Sequence, residues 1–325
     1  MLQLGKSNMV KNIFITGAAG FIGFHLARYL HARGDKVIGY DNFNDYYDPS
    51  LKRLRALELQ KEGIEVVEGD ICQAAFFETA IQRHQTTHLV HLAAQAGVRY
   101  SLTNPQAYVK SNLEGFVHIL ETCHRNAPVK LIYASSSSVY GLNTKIPFSI
   151  DDPTERQASL YGVTKKTNEL MAGTYHHLYG IPVTGLRFFT VYGPWGRPDM
   201  AYFAFAKSIM EGRPIEVYNQ GQMQRDFTYV DDIVQGTAAA IDLGAGCEIF
   251  NLGNHQPEPV LRLVELLEQF LGKKAQIKFA ALPPADVVST YADIGHSQTV
   301  LGFSPKVSLE KGLFHFVKWF QQYNS

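Results

Sequence analysis

Cysteine is scarce in this chain, with three in 325 residues, at positions 72, 123 and 247. They are odd in number, far apart and without CxxC spacing, which excludes a disulfide framework and offers no zinc-ligand pattern, so no metal site is expected. Net charge is absent too, 30 basic residues balancing 30 acidic ones. That balance argues against nucleic acid or an anionic membrane surface as the main partner. No segment approaches the roughly 18 near-continuous apolar residues of a membrane span, and residues 1–11 lack the apolar core of a signal peptide. The expectation is a soluble chain in a reducing cytoplasm. There is no internal repeat and no low-complexity tract beyond the four serines at 135–138. What remains is a chain 46% hydrophobic, long enough for two domains or one large α/β unit.

Residues 12–23, Asn-Ile-Phe-Ile-Thr-Gly-Ala-Ala-Gly-Phe-Ile-Gly, organise the rest. Ile13, Phe14 and Ile15 form a short β-favouring run, and apolar residues from Phe21 through Leu26, Ala27 and Leu30 recur at helical spacing. This is a strand, a glycine turn and a helix. In such a unit Gly17 makes the tight turn, Gly20 lets backbone approach a pyrophosphate, and Gly23 lets helix lie close on strand. Phe21, Ile22 and Gly23 open the helix, so their N–H groups face the anion. Glycines in any βα turn can produce this spacing, and context decides the reading. A second strand at 36–40 ends in Asp41, about 20 residues past the glycines, where a carboxylate accepts both hydroxyls of an adenosine ribose. Asp41 would repel a 2′-phosphate, which favours NAD over NADP.

The chain then alternates. Residues 50–62 read as an amphipathic helix, 64–67 as a third strand, 76–84 as a helix and 88–92 as a fourth strand. A long helix over 105–125, a strand at 129–133, a second long helix over 161–179 and a strand at 183–188 follow. This rhythm predicts a Rossmann-type, doubly wound parallel α/β sheet with right-handed crossovers. Loops after strands line the ligand crevice in such folds. Asn42, Asp70, Ile71 and the small-residue stretch Leu92, Ala93, Ala94 are therefore expected along the cofactor. Beyond residue 190 loops lengthen and Pro283-Pro284 interrupts the pattern. The predicted division is a cofactor domain at 1–189 and a smaller mixed α/β substrate-binding domain at 190–325, with some segments after 229 returning to the first.

Two clusters carry chemistry. The fifth strand runs into Ser135, Ser136, Ser137 and Ser138, hydroxyls at the sheet edge that suit a substrate or simply cap the strand. Tyr161 and Lys165 are four residues apart near a helix start and project from one face. A phenol of pKa about 10 is a poor base, but a nearby ammonium favours its ionised form. A surface pair is the plain alternative.

Together, residues 16–23, 135–141 and 161–165 resemble the extended short-chain dehydrogenase/reductase superfamily, in its nucleotide-sugar branch. The resemblance covers nearly the whole chain. It implies Tyr161 as acid/base, Lys165 as its electrostatic partner and a holder of the nicotinamide ribose, and Ser136 as the hydroxyl that shares a short hydrogen bond with the substrate 4-OH. It also implies a homodimer built on the helices at 105–125 and 161–179. The string at 186–201 is similar to that of UDP-glucuronate 4-epimerases, which implies interconversion of UDP-glucuronate and UDP-galacturonate through a 4-keto sugar. On this resemblance Ser137, Ser138 and Thr190 cradle the C6 carboxylate, with Arg197 and Arg99 as further candidates. Arg225 meets the diphosphate, Tyr218 stacks on uracil, and Asp286 meets ribose or braces Arg225. Galactose-type epimerases usually place Asn where Thr190 stands, and related decarboxylases carry Glu where Ser138 stands. Relatives read Gln or Arg, then Pro-Gly-Asp, where this chain has Pro283-Pro284-Ala285-Asp286. A neutral-sugar or mixed-specificity epimerase, a decarboxylase and a non-catalytic NAD sensor remain alternatives.

Overall fold

Strand alternation decides the first layer. The computed structural model describes residues 10–244 and 246–324, so most of the segment 1–11, expected to be no signal peptide, lies outside the described residues. In β1 (Asn12–Thr16), Ile13 and Ile15 face one core and Phe14 faces the other, because successive side chains leave a strand on opposite sides. Both faces are thus apolar. A strand buried on both sides pairs in parallel beneath covering helices.

Along the chain come α1 (Phe21–Ala32), β2 (Lys36–Asp41), α2 (Ser50–Lys61), β3 (Glu65–Glu68), α3 (Ala74–Arg83) and β4 (His88–His91). Next are short α4 (Tyr100–Thr103) and α5 (Pro105–Tyr108), a π-helical turn at Val109–Glu114, α6 (Gly115–Arg125), β5 (Lys130–Ser136), α7 (Leu160–Tyr179) and β6 (Val183–Phe188). After these lie β7 (Thr190–Tyr192), α8 (Ala201–Met210), β8 (Ile215–Tyr218), β9 (Gln224–Tyr229), α9 (Val230–Leu243) and β10 (Cys247–Leu252). The chain closes with β11 (Pro257–Pro259), α10 (Val260–Leu271), β12 (Ile277–Ala280), α11 (Gly295–Leu301) and α12 (Leu309–Tyr323).

Seven strands form one sheet in the order β10-β6-β5-β4-β1-β2-β3, every pair parallel. The order reverses between β1 and β4, and a crevice opens beyond the strand C-termini at such a switch point. Two smaller sheets, β11-β9-β7 and β12-β8, build the part beyond β6. The chain therefore has the doubly wound architecture that its rhythm predicts.

Two elements differ from their sequence reading by more than two residues at an end or in continuity. The fifth strand runs three residues further, to Ser136, and carries the serines to the sheet edge. The predicted helix over 105–125 is interrupted by the π-helical turn, where Asn112 is drawn inward. Its amide accepts from Gln95 N at 2.8 Å and donates to Gln95 O and Thr164 Oγ1, each at 3.0 Å. These bonds tie a crevice loop to α7.

Candidate active site

A cavity of about 240 Å³ lies past the C-terminal ends of β1 to β6. Its wall contains Gly17, Gly20, Phe21, Ile22, Gly23, Asp41, Asn42, Asp70, Ile71, Leu92, Ala93, Ala94 and Lys165, together with Ser136, Tyr161 and Arg197. Residues from both ends of the chain's first two hundred positions thus meet in one space. Ser137, Ser138, Thr190, Arg99, Tyr218, Arg225 and Asp286 are not in that wall.

The glycine turn is shaped by contact. Gly17 has φ +75°, and a Cβ there would meet Ala93 N at 2.7 Å. At Gly23 a Cβ would stand 2.1 Å from Gly17 O, so α1 rests directly on the turn. No side chain caps α1, and its first N–H groups, which have no partner within a helix, open on the cavity. Asp41 accepts from Ala19 N at 3.0 Å and Phe43 N at 2.9 Å, leaving lone pairs towards the cavity. Burial holds its carboxyl above the usual range, although Phe43 N–H and Lys52 pull it down. A backbone cradle bare of Cβ atoms, an uncapped helix start and a fixed carboxylate fit a dinucleotide.

The reactive wall is built on β5 and α7. Lys165 is buried and donates from Nζ to Ala134 O at 2.8 Å. Burial lowers its ammonium to about 8. Ser136 donates to Ser138 Oγ at 3.2 Å and accepts from Ser138 N at 3.1 Å, so it caps the short turn at Ser137–Tyr140. Desolvation raises the Tyr161 phenol above its ordinary value, and the Arg197 charge and a hydrogen bond with Ser136 act against this. The Lys165 ammonium, four residues along α7, spends one of its three N–H donors on the Ala134 carbonyl.

Arg197 itself is fixed by Asp199, whose Oδ2 also accepts from Tyr46 Oη at 3.0 Å. The remaining predicted residues gather separately. The Arg99 guanidinium stands 4.4 Å over the Tyr218 ring and pairs with Asp286 at 2.6 Å. Arg225 donates to Gln224 O at 2.8 Å and Val288 O at 3.1 Å. Asp286, expected to brace Arg225 or meet ribose, is paired with Arg99, which the chain brings across from the other part. Thr190 lies between two wall residues, Phe189 and Val191. Asn44, Tyr46, Tyr47 and Lys52 also form the wall. Sequence reasoning did not single out Lys52, and its signal is its place beside Leu51, Arg55, Ala56 and Leu59 on the buried face of α2. Among the described residues no group of His, Cys, Asp or Glu is placed to hold a metal ion, and no helix is long and apolar enough to cross a membrane.

Residues 13–253 match the profile of the NAD dependent epimerase/dehydratase family. The chain belongs to this family. One relative, UDP-glucuronate 4-epimerase 3 of Arabidopsis thaliana, is 50% identical over 330 residues, covering 96% of this chain and 77% of its own. Among solved structures, the UDP-glucuronic acid 4-epimerase of Bacillus cereus in complex with UDP-glucuronic acid and NAD superposes with a TM-score of 0.90 at 35% identity, over 96% of this chain and 99% of that one. The UDP-glucose 4-epimerase of Thermotoga maritima with UDP-glucose gives 0.85 at 30% identity over the same shares.

Proposed function

We propose that the chain is an NAD-dependent 4-epimerase that interconverts UDP-glucuronate and UDP-galacturonate. The observation that carries this reading is the meeting of Tyr161, Ser136 and Lys165 with the glycine cradle and Asp41 around one cavity. Relatives named for this activity, about half identical along nearly the whole chain, support the uronate over the neutral sugar.

When bound, NAD supplies the acceptor and then the donor of the hydride at sugar C4. Gly17, Gly20 and the α1 N–H groups hold its pyrophosphate, Asp41 takes the adenosine ribose, Asn42, Asp70 and Ile71 flank the adenine, and Leu92, Ala93 and Ala94 form the floor. Lys165 holds the nicotinamide ribose. Tyr161 takes the proton from O4 and returns it, and Ser136 keeps a hydrogen bond on that oxygen in both directions. The 4-keto sugar turns about its linkage to the diphosphate between the two transfers, presenting its opposite face to the same residues. Ser137, Ser138 and Thr190 donate to the C6 carboxylate, each bond to a charged acceptor contributing roughly 1.5–3 kcal/mol. That hold protects the β-keto acid from losing carbon dioxide. Arg225, Tyr218 and Asp286 receive the UDP portion, and Arg99, expected with Arg197 at the carboxylate, joins them instead because it pairs with Asp286 and covers the Tyr218 ring.

In this reading residues 1–189 serve mainly the cofactor and 190–325 mainly the nucleotide sugar. The protein acts as a homodimer, because Val109, Val117, Val163, Leu170 and Leu178 are exposed along the helices at 105–125 and 160–179. It works in the cytoplasm, in keeping with three unpaired cysteines. Purified protein incubated with UDP-glucuronate should yield UDP-galacturonate, resolved by ion-exchange chromatography. Turnover of UDP-glucose alone would replace the uronate reading with the neutral-sugar one, and no turnover of either would remove both.

A further inference from the structure

We propose that Arg55 is a positioning residue that joins the cofactor side of the cavity to the loop of Arg197 on its substrate side. Arg55 sits on α2 with 0% of its surface exposed. Its Nε donates to Trp195 O at 3.1 Å, Nη1 to Ala19 O at 2.9 Å and Tyr47 Oη at 2.8 Å, and Nη2 to Trp195 O at 2.6 Å and Gly196 O at 3.0 Å. A guanidinium has five N–H donors, and these bonds use them all. Every acceptor is a neutral oxygen. A buried charge without a carboxylate in its hydrogen bonds is costly, and a brace that only filled space would be cheaper as an apolar residue.

What the charge secures is geometry on both sides. Ala19, whose carbonyl Arg55 holds, gives its N–H to Asp41 at 3.0 Å. Trp195 and Gly196, held by their carbonyls, lead directly into Arg197. That segment is demanding, since Trp195 has φ +58° and a Cβ at Gly196 would stand 1.7 Å from Tyr202 Oη. A side chain at φ > 0 persists only where its surroundings over-determine it. Tyr47 adds a third hold next to Tyr46, whose hydroxyl meets Asp199, the partner of Arg197. One planar fork thus fixes three segments, and a lysine, with a single ammonium and no fork, cannot reproduce it.

The inference rests on the proposed function only for its turnover readout. The test compares wild type with Arg55→Lys, alone and combined with Arg197→Ala. Three further readouts accompany kcat and KM: the thermal unfolding transition, the NAD retained after gel filtration and released by denaturation, and the tryptophan emission spectrum, which senses the Trp195 loop. Arg55→Lys should fold, shift the emission and retain less NAD. Its kcat should fall by about a hundredfold, the scale of a small misplacement at a reacting centre, with KM changing less. On the Arg197→Ala background it should cost a smaller fold-loss in kcat than on wild type, because part of its effect passes through that loop. Wild-type kcat with unshifted emission, an equal fold-loss on both backgrounds, or failure of Arg55→Lys to fold would each overturn the positioning role. Should wild type itself not turn over UDP-glucuronate, the proposed function fails on its own, and the emission and NAD-retention readouts still decide Arg55.

Discussion

Ser135 donates its hydroxyl to Glu169 Oε1 at 2.6 Å, one residue before Ser136 reaches the cavity wall. The same carboxylate receives Arg187 from the neighbouring strand through Nε at 2.9 Å and Nη2 at 3.0 Å. Glu169 stands four residues after Lys165 on α7, so one buried ion pair locks the register of β5, β6 and the helix that carries Tyr161. The active-site wall is therefore supported by charge from behind.

Glu169→Gln should destabilise the protein by about 3–5 kcal/mol, because removing one partner strands the other charge in the interior. Both side chains are nearly inaccessible, 4% for Arg187 and 5% for Glu169. Denaturant unfolding of the variant against wild type measures the loss, and a change within experimental error would show that the pair contributes nothing. Burial alone would raise the Glu169 carboxyl, but the Arg187 fork and the Ser135 hydroxyl leave it lowered. Its folded value lies below its unfolded one, so its contribution is present above the unfolded pKa and disappears as pH falls through the folded value.

The Lys165 ammonium, lowered to about 8 by burial, predicts a different window. An unfolded lysine titrates near 10.5. Between these values the unfolded chain binds more protons than the folded one, so the contribution of Lys165 to stability rises with pH across the window. Its charge on the active site has the opposite trend, being complete below about 8 and lost above. Activity should show an alkaline limb near that pH. In Lys165→Arg, whose guanidinium stays charged, the limb should move upward even though the rate is lower. A limb that does not move would assign it to another group.

Legibility in the sequence followed the range of the interaction. The cradle, Asp41 and the parallel sheet were readable because periodicity and turn chemistry act over a few residues. Lys52 and Arg55 were not, since a charged residue on a helix reads as solvated until its tertiary partners are known, and two of those of Arg55, Trp195 and Gly196, lie 140 and 141 residues away. The pairing of Arg99 with Asp286 spans 187 positions and has no local signal. The π-helical turn was hidden because the apolar pattern continues through it, and only the inward bonds of Asn112 reveal the extra residue.

Thr190 tests the uronate specificity. Its backbone pairs with Phe227, between two residues of the cavity wall. Thr190→Asn replaces a compact hydroxyl by a larger amide and should cost UDP-glucuronate one hydrogen bond to a charged acceptor. That loss corresponds to about a 10- to 150-fold fall in kcat/KM for the uronate, with UDP-glucose affected far less. Parallel assays of the two substrates give the ratio. An unchanged ratio would remove Thr190 from the carboxylate cradle.

Ser138 tests protection of the intermediate. Its hydroxyl accepts from Ser136 at 3.2 Å, so it stands beside the O4-binding position. A β-keto acid loses carbon dioxide when its carboxylate is destabilised or can align with the carbonyl, and a donor at position 138 opposes both. Ser138→Glu replaces the donor with a like charge and leaves Tyr161, Lys165 and the cofactor cradle in place. The variant should still consume UDP-glucuronate and divert part of it to a UDP-pentose, seen by mass spectrometry as loss of carbon dioxide from the sugar. Ser138→Ala separates the two causes, since it removes the donor without adding charge and should release less pentose than the glutamate. Epimerised hexuronate as the sole product of both variants would show that carboxylate retention lies elsewhere in the site.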